Sequence, residues 1–438
     1  MTTTQTQAAT AASVDEPWFR RTFGTVIENA NFRWLFLGNL MQFGSMQMQL
    51  VVRSWLVFHI TGSFAALGTM ALANAVPGVI LAPVGGVLAD RAPKKVVIQL
   101  AQGYNVINAA ILAFLAAGVF GFELHFWHLF LSSFLQGGVN SIMMPSRQSM
   151  ISDLVPRDRL MNAIGTNSSA QTTMQLVGPG IAGFMIAAWS PAVVFAVMAA
   201  MYGIAVSFTV RLPTKPQYAF AQSEGGKAAA SARAATGKRG GGFKDLFDGM
   251  KYVGTDPTIR MLVLVNFMIV VVAMPYTMLL AGFVKEVLHK GAFEQGTLQS
   301  VQGIGALGGS VLVASAAPKR RGRMMIAWGV LLGAGVLAFA ISTNYYVTLP
   351  IMVLIGAAQA GRMAIGQVLI QSYSAEEFRG RVQSVWFMQF SLVQFGTFAV
   401  SILAESVGPQ LAIGGLAALL VVAMVLVALL IPKMRALD

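Results

Sequence analysis

Two arginines, Arg53 and Arg362, stand inside long apolar runs of this chain, and neither has an acid near it in the sequence. A guanidinium presents a planar fork of donors suited to a carboxylate or a phosphate. Neutral polar residues share the helical faces on which these charges lie. At about 100° per residue, Gln42, Ser45, Gln49 and Arg53 fall within about 40° of one direction. Gln136, Asn140 and Arg147 form a second stripe, Gln359 and Arg362 are one turn apart, and Gln383, Phe387, Phe390 and Gln394 share a face. Asn266 is the polar residue of its own run, with Asn108, Gln171 and Gln302 as weaker members of the set. Polar groups are costly in lipid, so such stripes read as the lining of a wet cavity that binds a small molecule. The competing reading is structural, with Arg53 reaching to the membrane surface and Arg362 bonded to helix carbonyls.

The acids are informative by position. All seventeen Asp and Glu lie in tails, loops or at the ends of apolar runs, with Glu405 nearest to membrane depth. Proton coupling must then use a peripheral group, and the candidates are Glu405, Asp153, Asp90 or the histidines His59, His125, His128 and His289. The chain contains no cysteine, so disulfides and thiolate metal sites are excluded. No metal or cofactor is expected. The stretch "GIGALG" (303 to 308) fits a dinucleotide-binding spacing but lies inside an apolar run, where close helix packing explains it better. There is no ATP-binding Walker loop, no His-Glu-x-x-His and no G-x-S-x-G, which argues against an ATP-driven pump and against an enzyme.

The elements that must position these residues follow from composition. With 56% hydrophobic and 11% charged residues among 438, the chain has too little polar surface for an aqueous globule. Twelve apolar runs are each long enough to cross about 30 Å of hydrocarbon as a helix. Their spans are 33 to 58, 64 to 89, 96 to 120, 126 to 146, 162 to 188 and 191 to 210, then 259 to 284, 296 to 317, 324 to 343, 347 to 371, 382 to 404 and 409 to 431. These runs are apolar all round, which disfavours a β-barrel. The expected fold is an all-α membrane protein. The N-terminal stretch, residues 1 to 32, reads as a polar tail without the order of a secretion signal.

A net charge of +13 raises nucleic acid as a partner, but the distribution of the charge answers otherwise. Twenty-six of the thirty Lys and Arg fall on one side if the chain crosses twelve times. By the positive-inside rule that side is cytoplasmic and holds both termini. Residues 211 to 258 form a basic, low-complexity linker between bundles at 33 to 210 and 259 to 432, with a short tail at 433 to 438. Near its end Phe243, Leu246, Phe247 and Met250 make one apolar helical face, read as a helix lying on the membrane surface against lipid. The halves echo each other: "LVPRDRLMNA" (154 to 163) and "EEFRGRVQSV" (376 to 385) precede corresponding spans. Such a repeat suggests two bundles rocking about a central site.

The loop "GGVLADRAPKK" (85 to 95) resembles the signature loop of the major facilitator superfamily. The stretches "NFRWLFLGNL", "MPSRQSMISDLVPRDRLMNAIG" and "FKDLFDGMKYVGTDPTIRML" are similar to its bacterial efflux branch, which includes enterobactin exporters and macrolide efflux proteins. That resemblance implies that spans one, four, seven and ten line the cavity. It also implies that Gly86, Asp90 and Arg91, with Arg381, form a lock that latches the halves on the cytoplasmic side. "LVGPGIAG" (176 to 183) is similar to an antiporter motif through Gly178, Pro179 and Gly183. The expected function is export of an amphipathic, anionic organic compound of drug or siderophore class, coupled to protons, by a monomer. The alternatives are import or facilitated passage of an organic anion, and lipid or lysolipid flipping.

Overall fold

The computed structural model describes residues 24–214, 217–218, 242–315 and 319–437, except the side chains of residues 83, 86, 87, 89–91 and 242–246. The described chain is helical throughout, with no strand. Helices Ala30–Thr61, Phe64–Arg91, Lys94–Ala116, Phe126–Leu154, Leu160–Ala188 and Pro191–Val210 form spans one to six. The linker helix Gly242–Thr255 follows. Span seven is two helices, Pro257–Ala273 and Tyr276–Glu286, and spans eight to ten are Ala292–Ser315, Arg321–Ile341 and Tyr345–Tyr373. Span eleven is Arg379–Phe387 with Gln389–Val407, span twelve is Pro409–Leu430, and a short helix, Pro432–Arg435, closes the chain.

Local chemistry sets these ends. Asn29, Ser63, Ser190, Asp256 and Asn344 each place a side-chain oxygen on backbone N–H groups of the first turn that follows. Gly62 ends span one at φ +64°, a left-handed conformation natural to glycine. Pro275 cannot donate a backbone hydrogen bond, and the helix of span seven breaks beside it. Span four runs to Leu154, about two turns past the apolar run, because bilayer thickness limits the hydrophobic stretch and not the helix.

By length and mean hydropathy alone, eight of the spans suffice to cross a membrane; spans one, four, five and eight do not. Those four are rich in Gln, Asn, Ser and Thr. They bring polar side chains into the interior, as spans three, seven, ten and eleven also do with Asn105, Asn266, Arg362 and Gln389.

The packing repeats with an offset of six. Span two packs on four and eight on ten, three on six and nine on twelve, one on five and six, and seven on eleven and twelve. The first six spans meet the last six chiefly through span five against eight and span two against eleven, again one pair related by the same offset. Small residues permit these crossings. A Cβ added at Gly183 would lie 2.5 Å from the Ala292 carbonyl, and one at Gly296 would lie 2.3 Å from that of Pro179. Within "GIGALG", Gly303 packs on Leu176 of span five and Gly305 on the Val353 carbonyl of span ten. The motif therefore serves helix contact.

The linker helix docks on the start of span eleven. Tyr252 stacks on Phe378 with ring centroids 4.4 Å apart, Gly249 packs on the Arg381 backbone, and Val253 is buried. Phe247 and Met250, on the opposite side, are exposed; the side chains of Phe243 and Leu246 lie outside the described residues.

Candidate functional site

The polar stripes resolve into separate clusters. In the last six spans, Arg362 of span ten donates from Nη1 to Oδ1 of Asn266 in span seven. Asn266 Nδ2 in turn donates to Oε1 of Gln389 in span eleven, at 3.2 Å. All three side chains are buried, at 3%, 0% and 2% exposure, so a positive charge is held inside the protein by neutral amides alone. Arg362 Nε and Gln389 Nε2 are buried donors with no protein partner. One turn away from Arg362, Gln359 accepts from Gln302 of span eight at 2.9 Å.

The first six spans hold three clusters. Arg53 Nη2 donates to Ser132 Oγ at 2.5 Å, and the Gln49 amide, with its oxygen turned to the guanidinium, accepts at 2.7 Å. Arg53 therefore neither reaches the surface nor meets an acid. Gln136 donates to Asn105 at 2.9 Å and to Asn140 at 3.1 Å. Arg147 donates to Asn39 at 2.6 Å and stands 5.1 Å from the Phe43 ring, and Asn39 donates to Asn167 of span five. Gln42 is buried with its carbonyl unpartnered. Among the described residues no ion pair forms at Arg53, Arg147 or Arg362. No hydrogen bond among the described residues joins the Arg53 cluster to the Arg362 cluster; each belongs to its own set of six spans.

Sequence periodicity missed Gln389 and Asn39. Gln389 lies off the face shared by Gln383, Phe387, Phe390 and Gln394 and falls instead on the buried face of span eleven, in helical register with Val382, Val385, Trp386 and Val400. Phe387 and Phe390 are exposed and stacked on each other at 6.1 Å, and Gln394 is half-buried.

The remaining candidates sit at the two ends of the bundle. At the end carrying the linker, Asp153 pairs with Lys94 at 2.7 Å, both within the first six spans. Arg381 Nη1 lies 3.9 Å from Asp248 Oδ2 of the linker helix. Gly86 and the side chains of Asp90 and Arg91, the other parts of the expected lock, lie outside what the structure describes. Of the antiporter-like motif, Gly178 packs on Gln47 of span one, while Pro179 and Gly183 face Gly296 of span eight. At the far end, Glu405 of span eleven accepts from the backbone N–H of Phe64 at 2.6 Å and of Ala65 at 3.2 Å, in the first turn of span two. Gln295 of span eight donates to Ser54 of span one at 2.9 Å near the same end.

Residues 24–438 match the family model described as transmembrane secretion effector. The chain belongs to that family of the major facilitator superfamily. That superfamily consists of transporters, and the chain's relatives include efflux proteins. Macrolide efflux protein A of Streptococcus pyogenes is 25% identical over 37% of this chain and 41% of its own length. The quinolone resistance protein NorA of Staphylococcus aureus is 31% identical over 29% of this chain and 30% of its own. The chain thus aligns with well under two thirds of these relatives' length. Among solved structures, a bacterial homolog of the human lysosomal transporter Spinster, inward-facing and occupied, superposes with a TM-score of 0.69 at 15% identity, covering 92% of this chain and 97% of that one. A peptide transporter of the POT family in complex with sulfate gives 0.71 at 13% identity over 93% and 96%. These two likenesses concern the fold.

Proposed function

We propose that this transporter exports amphipathic organic anions, of drug or siderophore class, in exchange for protons. The observation that carries the reading is the Arg362 cluster. It is a buried guanidinium joined to Asn266 and Gln389 with only neutral partners, and with further donors unpartnered at Arg362 Nε and Gln389 Nε2. A carboxylate or phosphate would meet both needs, since it accepts several donors and supplies the missing negative charge. Cluster geometry also supports a site that spans seven, ten and eleven share, so that movement of one helix changes the fit. Arg53 with Gln49, and Gln136 with Asn140, would face the same solute from the first six spans, with the Phe390 ring and the Gln394 amide forming part of the wall.

The linker end is taken as cytoplasmic from the distribution of Lys and Arg, and the membrane as the bacterial inner membrane from the bacterial source of the relatives. An inside-negative potential then itself favours exit of an anion, by about 2.3 kcal/mol per charge per 100 mV. The two sets of six spans would rock about the crossings of five with eight and two with eleven, alternately exposing the site. Everted vesicles with an acidified lumen test this directly. They should accumulate an amphipathic anionic dye above protein-free controls and lose it on addition of a protonophore. Accumulation that ignores the protonophore, or none at all, overturns the reading.

A further inference from the structure

Three cations gather where spans one, three and six end on the linker side. Arg33 and Arg211 both lie against the Trp34 ring, at 5.9 and 4.3 Å from its centre, and the Phe208 ring stands 5.5 Å from the same indole. Lys95 donates to the carbonyls of Val210 at 2.8 Å and Leu212 at 2.7 Å, the residues on either side of Arg211. It therefore ties the end of span six to the start of span three and holds Arg211 beside the indole. Among the described residues no carboxylate pairs with Arg33, Lys95 or Arg211, and both arginines are exposed. The neighbouring acid Asp153 is taken by Lys94. Like charges held this close repel, and a ring face offsets only part of that repulsion.

Depth decides what fits there. The three cations border the apolar runs that begin at 33 and 96 and end at 210, so they stand at the edge of the hydrocarbon, where a half-buried tryptophan also belongs. By the distribution of Lys and Arg this is the cytoplasmic leaflet. Deeper in the membrane the same helices are apolar and uncovered. Val96, Leu100, Ile107 and Ile111 are exposed and fall within about 60° of one direction on span three. Span six, which packs on it, adds exposed Ile204 and Val210. A cationic seat above an apolar strip matches a molecule with an anionic head and hydrocarbon tails.

We infer that the linker-side ends of spans one, three and six hold an anionic phospholipid of the cytoplasmic leaflet, its phosphate between Arg33 and Arg211 beside Trp34 and its tails along Val96, Leu100, Ile204 and Val210. Lys95 is a positioning residue, since its bonds fix the backbone on both sides of Arg211. Charge sets the choice of lipid. A zwitterionic headgroup presents the same phosphate but adds an ammonium, which the three cations repel. The bound lipid would brace three helices of the first half where they leave the membrane. The site lies on the perimeter and shares no residue with the Arg362 cluster, so it goes beyond the export reading and stands or falls without it.

The test reads lipid binding and needs no transport substrate. The full chain in neutral detergent is titrated with dioleoylphosphatidylglycerol and, separately, with dioleoylphosphatidylcholine, and the tightest-bound lipid is followed by native mass spectrometry. The parent should bind the glycerol lipid about thirtyfold more tightly than the pair Arg33→Ala with Arg211→Ala, about fivefold for each arginine, and the choline lipid weakly. Arg33→Lys with Arg211→Lys keeps the charge and should stay within about fivefold of the parent, which separates loss of the site from loss of the fold. Lys251→Ala with Arg379→Ala removes two exposed cations elsewhere at the same end and should leave binding unchanged. Inorganic phosphate in excess should not displace the lipid. Displacement by phosphate, no preference between the two lipids, parent-like binding by the alanine pair at Arg33 and Arg211, or an equal loss in the pair at Lys251 and Arg379 overturns the site.

Discussion

Gly296 offers the sharpest mechanical prediction. Its Cα faces span five so closely that an added Cβ would fall 2.3 Å from the Pro179 carbonyl oxygen and 3.0 Å from the Gly183 Cα. Ordinary contact needs about 3.4 Å or more, and the opposing atoms are backbone, so no rotamer can relieve the overlap. Spans five and eight would have to part by about 1 Å, a strain of about 1–3 kcal/mol by analogy with overpacked cores. If outer opening separates these helices, Gly296→Ala penalises the closed state alone and raises the open fraction about 5- to 150-fold. Ser54 reports on this, being 2% exposed and bonded to Gln295 beside the crossing. In a Ser54→Cys background the sole cysteine should react with an impermeant maleimide that much faster when Ala replaces Gly296. Gly308→Ala, on the same helix with nothing within 4 Å, is the control and should leave the rate unchanged. Equal rates for the parent and Gly296→Ala, with thermal unfolding intact, would refute a hinge at this crossing.

Two further outcomes follow from the contacts. Asn266→Asp supplies Arg362 with a carboxylate; the thermal midpoint should rise, and binding of an anionic ligand should weaken about tenfold, read by titration calorimetry. Tyr252→Ala removes the stack on Phe378, worth about 0.5–1.5 kcal/mol, and hydrogen exchange across residues 242–255 should accelerate while the spans stay protected.

The span order was legible because a helix in lipid must be apolar for about twenty residues, and this property survives in sequence without any knowledge of partners. The repeat was legible in part, through the "RDR" and "RGR" segments, and the packing extends it to every corresponding helix pair named above. Helix partners inside the polar clusters were not legible. Periodicity placed Gln42, Gln49 and Arg53 on one face, yet it could not say that Arg53 would find Ser132 seventy-nine positions away. It also passed over Gln389, because the stripe followed the face of Phe387 and Phe390, which is exposed, while Gln389 is the lone amide on a buried face built chiefly of Val, Trp and Ala. Tyr202, fully buried in span six, read only as an apolar-run residue. Glu405 drew attention as the acid nearest to membrane depth, but its bond to another helix's first turn is a fact of three-dimensional packing.

The central claim is that Arg362 receives a negatively charged group of the exported compound. The most direct measurement is ligand-induced thermal stabilisation of the purified protein over matched anionic, neutral and cationic amphiphiles, repeated with Arg362→Gln. The account predicts stabilisation by the anions, lost in the variant, with little response to the cations in either. Stabilisation by cations alone, unchanged when Arg362 is replaced, would contradict it.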